Sequence, residues 1–251
     1  MQVLPNADLT GRMIGRYSVV AFIRGGSQGS VYRGHDELLR RDVAIKVLNM
    51  DKAAERSPGA LLAEAQLLSS LTHANVAGVY DFVTDDGQDY VVMELIPGPT
   101  LGDMLVAGPL SMTEVVRLGS QLARGLAAIH AANIAHCDIK PANLKITASG
   151  VLKILDFGVA RRLVPDVWLR DPASASSPVI GTLQYMAPEV LRGQGGDARS
   201  DIFSAGAVLY ELATAWRAFP QRRITQLKDA INNRQTIVPS LVNPLVPASF
   251  D

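Results

Sequence analysis

One cysteine, Cys137, is all that the 251 residues contain. No disulfide framework can be built from it, and a reducing, cytoplasmic compartment is expected. Net charge is absent as well. Lys and Arg total 24 and so do Asp and Glu, so no field of one sign favours nucleic acid or an anionic membrane as a partner. The N-terminus, M-Q-V-L-P-N-A-D, lacks the basic and apolar regions of a secretory leader. No apolar run reaches membrane-spanning length, because the longest, residues 202–216, is interrupted by Glu211 and reads as a buried helix. Internal repeats and low-complexity tracts are missing too. What remains is 48% apolar, which suffices to bury a core in one large domain or in two lobes.

The first third of the chain carries strand signals. Residues 17–23 and 31–33 flank a glycine-rich turn, and residues 43–48 form another β-rich run. Residues 60–71 show helical spacing through Leu61, Ala65 and Leu68. Residues 79–83 and 90–95 are apolar strands separated by the turn signal D-D-G. Pro97, Gly98 and Pro99 break the pattern as a hinge would. Beyond them the character is helical. Ser111 and Glu114 have capping-box spacing, and Val115, Leu118, Leu122, Leu126 and Ile129 mark one face of a long helix. Short strands at 144–146 and 151–154 flank a turn at Ser149 and Gly150. Residues 161–180 lack periodicity and read as a loop. Residues 201–215 are apolar on nearly every side, the pattern of a buried helix.

The chemistry concentrates between His136 and Gly158. H-C-D-I-K-P-A-N is followed by a short apolar segment and D-F-G, so Asn143 and Asp156 stand five and eighteen residues beyond Asp138. A carboxylate, an amide and a second carboxylate are what phosphoryl transfer from Mg·ATP requires: one orients a hydroxyl nucleophile and the others hold the metal. The turn R-G-G-S-Q-G-S-V at 24–31 lets backbone N–H groups approach phosphate oxygens, although an ordinary hairpin has the same look. Lys46 ends V-A-I-K fifteen residues beyond Val31; a lone lysine there also suits a snorkelling surface residue. Glu64 shares a helical face with Leu61, Leu68 and Leu71, a costly position for an unpaired carboxylate. Lys46 is its natural partner, and a boundary glutamate bent into water is the alternative. His136 reads as a packing residue that hydrogen-bonds to shape the loop. Cys137 reads as a small, half-buried residue without an activating partner rather than a nucleophile.

Taken in order, these motifs resemble those of the eukaryotic-type (Hanks-type) protein kinase domain, in its bacterial serine/threonine style. They are the glycine-rich loop at 24–31, V-A-I-K ending at Lys46, Glu64, L-T-H-A-N-V at 71–76, V-M-E at 92–94, H-C-D-I-K-P-A-N at 136–143, D-F-G at 156–158, G-T-L-Q-Y-M-A-P-E at 181–189 and D-I-F-S-A-G at 201–206. The resemblance implies an α+β, bilobal fold. Residues 1–14 would be an extension, 15–93 an antiparallel β-sheet lobe with one helix, 94–98 a hinge and 99–251 a mainly helical lobe.

The resemblance also implies roles. Asp138 would accept the substrate hydroxyl proton and Lys140 would neutralise charge near the γ-phosphate. Asn143 and Asp156 would hold Mg²⁺. Lys46, fixed by Glu64, would contact the α- and β-phosphates of ATP. Ile23, Arg24, Gly25, Gly26, Ser27, Gln28, Gly29 and Ser30 would cover the phosphates, with Val31 and Ala44 as the roof over adenine. Met93 would be the gatekeeper, and backbone groups of Glu94 and Ile96 would meet the adenine edge. Ser174, Ser176 and Ser177 fall in the activation loop, and Thr182 and Glu189 in a shelf for protein substrates. Lys140 with Pro141, and Thr182 before A-P-E, resemble the serine/threonine branch. The partners implied are ATP and proteins bearing Ser or Thr, this chain included.

The chain departs from the family pattern at Arg24, in place of the first loop glycine, and at Cys137, in place of the arginine that faces a phosphorylated activation loop. Lys145 stands where an apolar residue usually lies under adenine; its stem would form the floor while its ammonium reaches water. The resemblance also implies further helices beyond Asp251 and an arginine opposite Glu189, a role that Arg222 or Arg223 would otherwise fill. The rival readings are a pseudokinase or scaffold on the same fold, a small-molecule phosphotransferase and an inactive fragment.

Overall fold

The computed structural model describes residues 8–26, 29–48, 66, 68–155 and 179–251. The chain divides into two compact units, Met1–Thr72 with Ala77–Leu95, and His73–Val76 with Ile96–Asp251.

The first unit is one six-stranded antiparallel sheet in the order β1-β2-β3-β4-β6-β5. Its strands are β1 (Met13–Ile14), β2 (Tyr17–Gly26), β3 (Gly29–Asp36), β4 (Arg41–Val47), β5 (Val79–Asp85) and β6 (Gln88–Glu94). Between β5 and β6, Asp86 and Gly87 adopt φ of 48° and 76°. Two successive positive φ values make the turn whose twist matches its flanking strands, which is what D-D-G signals. At the glycine-rich turn, pairing continues through Gly25 with Ser30 to Gly26 with Gly29, because in-register neighbours override the weak strand preference of glycine.

Side chains alternate across the sheet. Tyr32, Ile45 and Val92 lie directly opposite one another and pack with Ile14, Tyr17, Val19, Val43, Val47 and Tyr90 into one core. Gly34 is needed there, because a Cβ would collide with the Ile45 side chain.

A polar cluster ties β2, β3 and β5 together. Tyr17 Oη donates to Asp81 at 2.7 Å, and Arg16 stands 3.3 Å from the buried Asp36 carboxylate. Asp36 also accepts from the Leu38 and Leu39 N–H groups at 3.2 and 3.1 Å. Burial pushes its pKa up, but the Leu39 N–H, Arg16, the Leu38 N–H and Arg41 outweigh burial and hold it below the ordinary carboxylate range. The folded pKa therefore lies below an unfolded value of about 3.9. Stability from this carboxylate is present above the unfolded pKa and is lost as pH falls through the folded one. In thermal unfolding, wild type should exceed Asp36→Asn at neutral pH, and the gap should close on acidification. A gap independent of pH rules the linkage out.

The second unit is mainly helical. It contains α1 (Leu101–Leu105), α2 (Met112–Ala131), the hairpin of β7 (Leu144–Ile146) and β8 (Leu152–Ile154), and then α3 (Val179–Leu183), α4 (Pro188–Leu191), α5 (Ala198–Thr214), α6 (Ile224–Asn232) and α7 (Pro239–Val242). Residues 73–76 belong here because Val76 bridges Ile154 and Asn75 Nδ2 donates to the Leu152 carbonyl at 2.9 Å. The expected face of α2 is buried through Val115, Leu118, Leu122, Leu126 and Ile129. Gly125 lets α2 approach β8, since a Cβ would stand 2.6 Å from Ile154 Cδ1.

Only half of the expected capping box forms at α2. Ser111 Oγ accepts from the Glu114 N–H at 3.3 Å, but the Glu114 carboxylate turns to Arg117, whose Nε donates at 2.7 Å. A two-point contact from a cationic guanidinium outcompetes a single bond from a neutral N–H. Full boxes form instead at Thr100 with Asp103 and at Asp197 with Ser200. Helix α5 departs from its sequence pattern as well. Ile202 is 63% exposed, Gly206 is exposed, and a Cβ at Gly206 would meet nothing within 4 Å. One stripe of this apolar helix is therefore uncovered by the described residues. No helix among them is long and apolar enough to cross a membrane.

Candidate active site

Four of the expected nucleotide residues share one face of the first unit's sheet. Val31 pairs with Lys46, and Ala44 with Met93. Directly opposed residues, and residues two apart on a strand, point the same way. Val31, Ala44, Lys46 and Met93 therefore lie on the face opposite Tyr32, Ile45 and Val92. Arg24 pairs with Val31 across β2 and β3 after a register shift that falls at Ile23. Lys46 is only 2% exposed, and a buried ammonium requires a charge partner. Glu64, named for that role, lies outside the described residues, as do Ser27, Gln28, Asp156, Ser174, Ser176 and Ser177.

In the second unit, the expected catalytic residues converge in one loop. Asp138 is 4% exposed. Its carboxylate accepts from Asn143 Nδ2 at 3.0 Å and lies 3.0 Å from Lys140 Nζ. Both donors stabilise the negative charge. Asn143 Nδ2 also donates to the Asp138 carbonyl at 2.9 Å, so its amide oxygen is the atom left to face a cation. Carboxylate and amide oxygens are hard donors that suit Mg²⁺. Lys140 Nζ reaches on to Thr182 Oγ1 at 3.2 Å, which ties the loop to α3. His136 packs and bonds as its sequence context implies. Its Nε2 donates to the Leu155 carbonyl at 2.9 Å, and its Nδ1 accepts from the Asp138 N–H at 3.2 Å. Those partners set its tautomer.

The residue that organises this loop is Asp201, to which the sequence reading assigned no role. Its side chain is fully buried and accepts from the His136 N–H at 2.8 Å, the Cys137 N–H at 2.7 Å and His130 Nε2 at 2.8 Å. Cys137 sits at φ 57°, an uncommon conformation for a residue with a Cβ. Two adjacent N–H groups gripped by one carboxylate hold it there. The available signal was an acidic residue inside an apolar helix pattern, which demands partners.

Other backbone and side-chain groups at the expected positions have defined partners. The Glu94 N–H donates to the Gly78 carbonyl at 2.8 Å, inside the sheet. Lys145 is half-buried, and its Nζ donates to the Ile96 carbonyl at 2.8 Å. Glu189 accepts from Ser200 Oγ at 2.5 Å; Arg222 and Arg223 are exposed, and neither is seen to pair with it among the described residues. The surrounding segment is anchored to α5 through Ser204 Oγ, which donates to the Tyr185 carbonyl at 2.7 Å, and through the bond from Tyr185 Oη to Glu211. Burial and the Glu211 charge push the Tyr185 pKa up, so the hydroxyl remains a donor.

The family described as protein kinase domain matches residues 17–247. Among curated proteins, the chain is 35% identical over 244 residues to serine/threonine-protein kinase PrkC of Bacillus subtilis, covering 96% of this chain and 37% of that protein. It is 37% identical over 209 residues to serine/threonine-protein kinase PknB of Mycobacterium leprae, covering 79% of this chain and 32% of that protein. The chain thus spans about a third of the length of these relatives.

Proposed function

We propose that this chain, which belongs to the protein kinase domain family, transfers the γ-phosphate of ATP to serine and threonine hydroxyls of proteins, its own included. The observation that carries the reading is the Asp138 carboxylate, buried and held between Lys140 and Asn143. In the proposed step the acceptor hydroxyl oxygen bonds to the γ-phosphorus as the bond between that phosphorus and the β,γ-bridging oxygen breaks. The hydroxyl proton passes to Asp138 and ADP leaves. Lys140 offsets charge on the transferring group while staying bonded to Thr182, which sets the loop against the segment proposed to present the peptide. Lys46 positions the α- and β-phosphates. Asn143, with Asp156, would hold Mg²⁺, which when bound neutralises phosphate charge.

The test is incubation with labelled Mg·ATP and a Ser/Thr peptide. Label should appear on the peptide and on the chain. Lys46→Met should reduce transfer by roughly 10²-fold or more, because phosphate positioning is most of this catalysis. Nucleotide binding without transfer to any hydroxyl would favour a scaffold on the same fold.

A further inference from the structure

The chain has no net charge, yet its charges are unevenly placed. Between Glu211 and Asp229 lie Arg217, Arg222, Arg223 and Lys228, and no acidic residue. This basic segment is fastened through one buried side chain, Gln184, which is 3% exposed. Gln184 Nε2 donates to the Gln221 carbonyl at 3.1 Å, and its Oε1 accepts from Arg217 Nη1. Gln184 stands two residues beyond Thr182, so the basic segment is tied to the same stretch that Lys140 holds.

Arg217 is also close to the reacting groups. The Asp138 carboxylate lies 3.0 Å from Lys140 Nζ, and that ammonium donates to Thr182 Oγ1 at 3.2 Å. A Cβ on Gly181, the preceding residue, would stand 4.0 Å from both Nη atoms of Arg217. Those contacts keep the guanidinium within about 16 Å of Asp138, the reach of about five residues of extended peptide. The cation is only partly neutralised. Glu211 Oε1 lies 3.8 Å from Arg217 Nε, beyond hydrogen-bond length, and the other Glu211 oxygen accepts from Tyr185 Oη. The Glu211 side chain is 13% exposed and that of Arg217 42%, so the surface presents the guanidinium rather than the carboxylate. Arg217 Nη2 donates to no described residue. A guanidinium fork with a spare edge suits a carboxylate.

We propose that Arg217 is a specificity-determining residue that favours serine and threonine acceptors with an aspartate or glutamate within about five residues, an inference that rests on the peptide-phosphorylation reading above. The substrate carboxylate pairs with the Arg217 guanidinium while the acceptor hydroxyl lies at Asp138. Arg222 and Arg223, both exposed, add to the positive field along the same edge. A basic residue at that place in the peptide is repelled.

The experiment uses peptides with one serine in a neutral background and a single Asp, Asn or Lys placed in turn at each position within that reach, on either side. Values of kcat/KM are measured at saturating Mg·ATP for wild type, Arg217→Gln, Arg217→Lys and Arg217→Glu. At one position or more, wild type should prefer Asp to Asn by about fivefold, the scale of a half-exposed ion pair, and should disfavour Lys. The preference should vanish in Arg217→Gln and turn toward Lys in Arg217→Glu. Arg217→Lys keeps the charge and should retain a preference for Asp. An arginine that only braces Gln184 and Glu211 would lower the rates of all peptides in proportion and leave their ratios unchanged, and that result overturns the proposal. So does a wild type that ranks Asp, Asn and Lys alike at every position. A preference that survives Arg217→Gln and vanishes in Arg222→Gln or Arg223→Gln overturns it as well. If wild type labels no peptide at all, the proposed function itself fails, and the two failures are thus distinguishable.

Discussion

Asp138→Asn should leave nucleotide binding within a few-fold of wild type and lower turnover by roughly 10²-fold or more, the usual loss on removing a positioned acid–base group. The substitution keeps the size of the side chain and removes its ability to take a proton. It also places an amide NH₂ among groups that are already donors, Lys140 Nζ and Asn143 Nδ2, each at 3.0 Å. The loss should therefore appear in kcat more than in the KM for ATP. Peptide phosphorylation under saturating nucleotide, with a separate binding measurement, gives both quantities. Near-wild-type turnover in this variant would show that the proton goes elsewhere and that the assigned role is wrong.

A second large effect is expected far from any substrate atom. Asp201→Ala removes an acceptor shared by three donors: the His136 and Cys137 N–H groups and His130 Nε2. A buried donor left without an acceptor costs about 1–3 kcal/mol; the His136 N–H is buried and the other two are part-buried. Cys137 also loses the contact that holds its backbone at φ 57°, and Asp138 is the next residue. A displacement of about 1 Å at a reacting group can cost 10²-fold in rate. Asp201→Ala should thus lower both the unfolding temperature and kcat, whereas Asp138→Asn acts chiefly on kcat. Asp201→Asn is a milder version, since it keeps one acceptor oxygen but turns an NH₂ toward a donor. An Asp201→Ala protein with native stability and turnover would mean that the loop is held by something other than this carboxylate.

The two variants separate what was legible in the sequence from what was not. Asp138 is identified by spacing to Asn143, because catalysis and metal binding need those groups close in the chain as well as in space. In the fold, Asn143 Nδ2 stands 3.0 Å from the Asp138 carboxylate. Asp201 lies 65 residues from His136, and no local pattern links the two. Its meaning comes from the packing of α2 and α5, which brings the start of α5 under the loop. The capping at Ser111 shows the same limit at short range. The spacing to Glu114 is right for a reciprocal pair, yet Arg117 captures the carboxylate, because the stronger donor wins wherever geometry permits both.

The order of motifs, the strand-rich first third, the D-D-G hairpin and the buried face of α2 were determined by sequence alone. Each depends on neighbours within a few residues or on a strict period, and short-range sterics and periodic burial act before any long-range contact forms. The common face of Val31, Ala44, Lys46 and Met93, the grip of Asp201 on His136 and Cys137 and the bond from Lys145 to the Ile96 carbonyl were decided only in the tertiary structure. Register across β3, β4 and β6 places the first group. Helix packing places the second. The third follows from the packing of β7 beside residues 96–99, which brings the Lys145 ammonium within 2.8 Å of the Ile96 carbonyl.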